Sequence, residues 1–240
     1  MIANSTYTRD RIRRYYGRDA EVIEPPIDAR RFEGSDGGTP AAGGDAAADD
    51  GSPFLVVSAL VPYKRVDLAV QALAGRPEPL VVVGEGPERA RLARLAGPNV
   101  TFLGRVSDEE LTALYARCRA LLHPARDDFG MVMVEALAAG KPVITCGEGG
   151  AADIVRSGET GVVAERPTVE SLRSALNRFM LMRGRFEPAR LRAYARRFDR
   201  AVFERRFLDA VQVGWRARQG GAANGQRLRV PAARQRGTWS

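Results

Sequence analysis

The stretch Ala120-Leu-Leu-His123-Pro-Ala-Arg126-Asp127-Asp128-Phe129-Gly130-Met131-Val-Met-Val-Glu135-Ala-Leu-Ala-Ala139-Gly140-Lys-Pro-Val143-Ile-Thr145 changes character three times. It opens on an apolar run too short for a helix, Ala120 to His123, and passes through a polar loop that ends at Gly130. A helix pattern follows from Met131 to Ala139, and a second short apolar run, Val143 to Thr145, closes it. Neither run alternates apolar with polar residues, so each strand must be buried on both faces. That is the mark of a parallel sheet covered by helices on both sides.

The same alternation extends outward. Upstream, Phe54 to Ser58 and Leu80 to Val83 read as strands, each followed by a helix, Val66 to Leu73 and Pro87 to Leu95; Val100 to Leu103 is a third strand. Ser107 with Glu110 three residues on forms a capping box that opens the next helix. Downstream, Ala151 to Arg156 reads as a helix and Gly161 to Val163 as a last strand. The fold class is therefore α/β, a doubly wound parallel sheet of the Rossmann-like kind with C-terminal helices. After Pro167, the residues Leu172, Ala175, Leu176, Phe179 and Met180 fall on one helical face and belong to the core. Two basic helices follow, Ala189 to Arg197 and Asp199 to Val213, the second with a stripe of Phe203, Phe207 and Val211 that needs a partner surface.

At 240 residues and 45% hydrophobic content the chain suits one such domain plus extra segments. Residues 1–32 contain a short basic helix, Thr8 to Tyr16, and an extended connector whose Pro25 and Pro26 forbid a helix. Residues 33–52 are almost all Gly, Ala, Asp, Ser and Pro and read as a disordered insert. The domain proper spans 53–213, and 214–240 reads as a disordered basic tail. That tail holds six arginines and no acid, most of the net charge of +8, so the body is nearly neutral and no specific nucleic-acid partner is expected. No apolar run approaches a membrane span and the start lacks a signal peptide's apolar stretch, so the expected address is the cytoplasm, or the periphery of the membrane's inner face. Cys118 and Cys146 lie in apolar segments without metal-ligand spacing and read as buried thiols.

In an open parallel sheet, ligands bind beyond the carboxyl ends of the strands, where helix N-termini offer free N–H groups to anions. The loop after the first strand carries Lys64 and Arg65 just before a helix, a placement suited to a diphosphate; taken alone, both read as solvated surface charges. The second strand ends in Gly84-Glu85-Gly86-Pro87-Glu88, a tight turn common to many strand-to-helix junctions. In the quoted stretch Asp127 and Glu135 bracket a helix N-terminus at Gly130, where backbone can approach a ligand and carboxylates can hold a ribose. The equal alternative makes Asp127 or Asp128 a cap and Glu135 a surface residue. His123 reads as structural rather than as a base. No nucleophile motif, P-loop, zinc spacing or hydrolase triad is present.

In this order, Val61-Pro-Tyr-Lys64-Arg65-Val-Asp67, Gly84-Glu-Gly86-Pro-Glu88, Val100 to Gly104, Asp127 to Gly140 and Gly149-Gly150 resemble the family-4 type glycosyltransferases (group 1) of the GT-B fold, specifically their C-terminal, donor-binding domain. The resemblance is strong from Phe54 to Val163 and looser from Ile2 to Phe32. It implies retaining transfer of a hexose, with mannose a candidate, from a nucleotide diphosphate sugar to a glycan or lipid-linked acceptor, without cofactor or obligatory metal. By the same resemblance Lys64, helped by Arg65, contacts the diphosphate, and Gly84 and Gly86 line the donor site. Backbone from Gly104 through Arg105 to Val106 meets the nucleobase, Glu135 holds the ribose and Asp127 lies by the transferred sugar. The N–H groups of Phe129, Gly130 and Met131 face the diphosphate and stabilise the leaving group. Asp127, Glu135 and Lys64 are thus the expected catalytic set.

The sequence departs from the family pattern at Ala59, where many members carry an arginine, at Asp127, usually glutamate, and at Asp153, often glutamate. The N-terminal, acceptor-binding domain is also largely missing. Residues Ile2 to Phe32 resemble its last helix and the interdomain crossing, as expected of a truncated gene, a late start or one half of a split enzyme. An alternative reading is a catalytically incompetent nucleotide-sugar-binding module, partnered by a separate acceptor-binding domain or by itself. An epimerase of similar fold and a nucleic-acid binder led by the tail are further rivals.

Overall fold

Four-residue apolar runs with helices between them leave their backbone groups one economical solution, a parallel ladder. In the computed structural model, which describes residues 1–32 and 51–223, that is the arrangement adopted. A short parallel pair comes first: β1 (Ile2–Ala3) and β2 (Glu21–Val22), linked by α1 (Thr6–Tyr16). The main sheet follows, with β3 (Phe54–Val57), α2 (Val66–Ala72), β4 (Leu80–Val83), α3 (Arg89–Leu95), β5 (Val100–Gly104), α4 (Asp108–Arg117) and β6 (Ala120–His123). It continues through α5 (Met131–Ala138), β7 (Val143–Thr145), α6 (Ala151–Ile154) and β8 (Gly161–Val163) to α7 (Val169–Met182), α8 (Pro188–Ala195) and α9 (Arg200–Ala223).

The six-stranded sheet has the order β5-β4-β3-β6-β7-β8 and every pairing is parallel. The chain winds outward from β3 in one direction and from β6 in the other, so the loops after these two strands part and leave a crevice between them. β3, β6 and β7 are almost wholly buried, which is why they carry no polar alternation. Ser107 and Glu110 make both bonds of the expected capping box. Leu172, Ala175, Leu176 and Phe179 of α7 are buried as the stripe required, with Phe54 and Phe179 meeting edge to face. Gly140 (φ +78) ends α5 where a Cβ would stand 3.0 Å from Pro188, so α8 packs directly across that turn.

Residues 1–203 form one compact unit. The amino-terminal segment, read from sequence as a connector, is part of it: Thr6 donates from its backbone N–H and its hydroxyl to Asp153 (2.7 and 2.6 Å), and Ile27 bridges to Asp199. Asp153, a departure from the family pattern, thus holds the start of α1. The second unit begins at Glu204, and its described part is the remainder of α9. The helix expected to stop at Val213 runs on to Ala223, through residues taken for the start of a disordered tail. Only Gly214, Gly220 and Gly221 break its helix-forming composition, and glycine costs about 1 kcal/mol each against alanine, too little to end a helix. The rest of the expected tail, and the expected insert apart from residues 51 and 52, lie outside the described residues. Among the described residues no helix is long and apolar enough to cross a membrane.

Candidate active site

The crevice between the loops after β3 and β6 is a cavity of about 1380 Å³. On one side stand Ser58, Ala59, Tyr63 and Lys64, on the other Asp127 to Val132. Lys64 ends a short 3-10 turn opened by Pro62, and Arg65 then takes a left-handed conformation (φ +50), which ends the turn and aims Lys64 across the crevice. Its ammonium lies 2.7 Å from both carboxylate oxygens of Asp127, and both side chains are mostly buried. Two residues 63 positions apart therefore form one ion pair at the centre of the site.

Immediately beside this pair, α5 begins. Gly130 (φ +98) occupies its N-cap, no side chain caps the terminus, and Met131 is exposed to the cavity. The first N–H groups of a helix have no intrahelical partner, so this terminus presents donors and the positive end of a dipole toward Asp127 and Lys64. The left-handed backbone at Gly130 strains any residue with a Cβ, which explains the glycine. Phe129 turns its ring inward against Phe198, leaving its backbone on the cavity wall.

Glycine motifs set the two loops in place. Gly84 (φ +126) and Gly86 (φ +155) pack on the β3 loop so closely that a Cβ would lie 1.9 Å from the Ser58 oxygen and 2.3 Å from that of Leu60. On the other side Gly149 and Gly150 do the same for Asp127, Asp128 and Phe129, and Gly150 donates its N–H to the Asp127 carbonyl at 2.8 Å. These residues fix loops against loops. Gly84 still reaches the cavity wall; Gly86 stands behind it.

Of the other expected site residues, Arg105 and Val106 line the cavity. Gly104 stands behind, its carbonyl accepting from Gly84 at 2.7 Å. Arg65 folds onto Asp67 (3.2 Å) and takes no part in the lining. Glu135 sits one turn into α5, half-buried and outside the cavity lining, and accepts a 2.9 Å hydrogen bond from Tyr115 Oη. Tyr115 is buried edge to face against Phe32, and burial, with Glu135 beside it, holds its pKa well above the usual phenol value. It is a neutral donor that fixes the carboxylate. Asp128 pairs instead with Arg11 (2.8 Å).

A third wall of the cavity was not expected from the sequence pattern. Asn4, Tyr7, Arg11 and Tyr15, from β1–α1, line the cavity, and Arg126 stacks over the Tyr7 ring at 5.1 Å. Four cations, Lys64, Arg11, Arg105 and Arg126, thus line the cavity beside three acids, of which Asp127 pairs with Lys64 and Asp128 with Arg11, the third being Glu85. His123 is buried at the end of β6, where burial pushes its pKa down to about 4, opposed by Asp127 and assisted by Lys64. Both thiols are protonated, Cys118 pushed up to about 12 and Cys146 to about 11 chiefly by burial. Among the described residues no group of three or more His, Cys, Asp or Glu converges on a metal position.

Residues 45–198 match the profile of the family described as glycosyl transferases group 1. The chain belongs to that family. Its relatives include a GDP-mannose-dependent alpha-(1-6)-phosphatidylinositol monomannoside mannosyltransferase of Mycobacterium tuberculosis, 32% identical over 205 residues, 75% of this chain and 52% of that one. A D-inositol 3-phosphate glycosyltransferase of Rhodococcus opacus is 32% identical over 218 residues, 81% of this chain and 47% of the relative. The chain thus spans about half the length of these relatives. Among solved structures it resembles Anabaena Alr3699/HepE in complex with UDP-glucose, with a TM-score of 0.72 and 25% identity over 88% of this chain and 63% of the other.

Proposed function

We propose that the crevice binds a nucleotide diphosphate sugar and forms the donor half of a retaining hexosyltransferase whose acceptor is a glycan or a lipid-linked sugar. The observation that carries this reading is the Lys64–Asp127 ion pair set at the uncapped N-terminus of α5. A diphosphate needs a cation and oriented N–H donors, and the sugar beside it needs an acceptor for its hydroxyls; these three elements stand together here. Lys64 and the helix terminus take the two phosphates, Asp127 the hexose, and Glu135, held by Tyr115, the ribose diol. The nucleobase lies against Arg105 and Val106.

In the transfer, the hexose C1–O bond to the β-phosphate breaks and C1 bonds to the acceptor hydroxyl oxygen on the same face. The hydroxyl proton passes to the departing diphosphate. The extra negative charge on that leaving group falls where Lys64 and the α5 dipole already point, so their stabilisation grows along the reaction. Arg11 or Arg126 supplies the second cation that Ala59 does not. The relative named for GDP-mannose and the neighbour solved with UDP-glucose make GDP- and UDP-sugars the first donors to try.

The test is calorimetric titration of the chain with UDP-, GDP- and ADP-sugars. Saturable binding to one class supports the reading and names the nucleotide; absence of binding to every one contradicts it.

A further inference from the structure

Lys64, Asp127 and the helix terminus leave one polar atom of the site unexplained. His123 is the sole histidine of the chain, and its Nε2 is buried without a hydrogen-bond partner among the described residues. Asp127 Oδ2 lies 3.5 Å from it, outside a good hydrogen bond, while Lys64 occupies both oxygens of that carboxylate at 2.7 Å. On its other side, Nε2 faces the space left by Gly130, 3.5 Å from where a Cβ would stand. Burying a polar group with no partner is destabilising, because its bonds to water are lost and not replaced. Such an atom calls for an explanation, and a second state of the site that satisfies it is one.

We propose that His123 is a positioning residue that takes over the Asp127 carboxylate when Lys64 turns to the diphosphate of a bound nucleotide. The proposal rests on the donor reading given above. Lys64 has one ammonium to serve two anions, and drawing it toward phosphate lengthens its contacts with Asp127. The imidazole Nε2–H then needs to close only from 3.5 Å to reach hydrogen-bond distance, which a rotation of the Asp127 side chain supplies. Asp127 stays fixed beside the sugar in both states, first by a cation and then by a neutral donor. The charged groups that face His123 are Asp127, on the following loop, and Lys64, from the loop after β3. Lys64 lowers the imidazole pKa and Asp127 raises it, so moving Lys64 away must raise it.

A single histidine makes this directly observable in long-range ¹H–¹⁵N spectra of the full chain. Spectra are recorded at pH 7, free and with GDP or UDP, on samples whose nucleotide saturation is measured by calorimetry. The expected result is an Nε2–H tautomer whose resonance moves downfield on saturation, with that movement absent in Asp127→Asn. In Lys64→Met without ligand, the imidazole titrates above the value of about 4 held in the parent chain. A resonance unmoved at saturation, an Nδ1–H tautomer in the bound state, or an unchanged titration in Lys64→Met overturns the proposal. Saturable nucleotide binding with a silent histidine defeats the exchange and leaves the donor reading standing; no binding at all defeats both.

Discussion

The loops after β3 and β6 are built alike and furnished differently. Each is clamped by a glycine pair from the neighbouring strand's loop, Gly84 and Gly86 on one side, Gly149 and Gly150 on the other, with side-chain-free backbone laid against backbone. The β3 loop then ends in a 3-10 turn and offers one long cation, Lys64. The β6 loop runs into α5 with no cap and offers short, rigid groups: Asp127, the Gly130 terminus and the buried His123. The shared part is scaffold and the differing part is chemistry. In this site, glycines mark where loops are held, and the reactive groups are the residues they hold.

The strongest challenge to that division is to fill the clamps. Gly84→Ala and Gly150→Ala each place a Cβ within 2.4 Å of backbone, and each should lower stability by about 3 kcal/mol or more in urea unfolding. Gly75→Ala, at φ +75 in open space, should cost only about 1–2 kcal/mol. Similar losses at all three would remove the clamp from the account.

The buried imidazole belongs to the β6 side alone, and it gives that side a pH dependence. His123 is held near pKa 4, below its ordinary value of about 6.5, so the unfolded chain binds the proton first. Its neutral form contributes stability that is complete above about pH 6.5 and is lost as pH falls toward 4, about 3 kcal/mol in all. Unfolding midpoints measured from pH 7 to pH 4.5 should fall more steeply in the parent than in His123→Asn; parallel slopes would show that the imidazole is not buried neutral.

On the β3 side, Lys64→Ala should weaken nucleotide-sugar binding by about 2 kcal/mol, roughly 30-fold, in calorimetry. Within α5, Glu135→Ala should weaken it about tenfold and more than Asp128→Ala does, since Asp128 is turned to Arg11. Equal effects of the two would undo the ribose assignment. The smallest change is Tyr115→Phe, worth about 1 kcal/mol on the same measurement. It should also narrow the preference for ribose over 2′-deoxyribose nucleotides, which a purely packing role would leave intact.

Much of this was legible beforehand, because apolar runs and helix periods report burial directly. The strands at Phe54, Leu80, Ala120 and Val143, the Ser107 capping box and the α7 stripe all follow from local pattern. Lys64 and Asp127 were each visible as loop residues at helix starts, but not as a pair, since their meeting depends on β3 and β6 being neighbours in the sheet. The α1 wall was illegible because Tyr7, Arg11 and Tyr15 read as an ordinary basic surface until Asp153 fixes the helix over the cleft. Tyr115 gave no signal either; an apolar-face tyrosine reads as core, which it also is, and only its hydroxyl's bond to Glu135 reveals the second role.

In the proposed donor site the β3 and β6 loops meet to hold a diphosphate. A crystal structure of the chain with the nucleotide sugar selected by titration tests it most directly. The phosphates are expected within hydrogen-bond reach of Lys64 Nζ and of the Gly130 and Met131 N–H groups. A diphosphate bound elsewhere, with the N-terminus of α5 left to solvent, would contradict it.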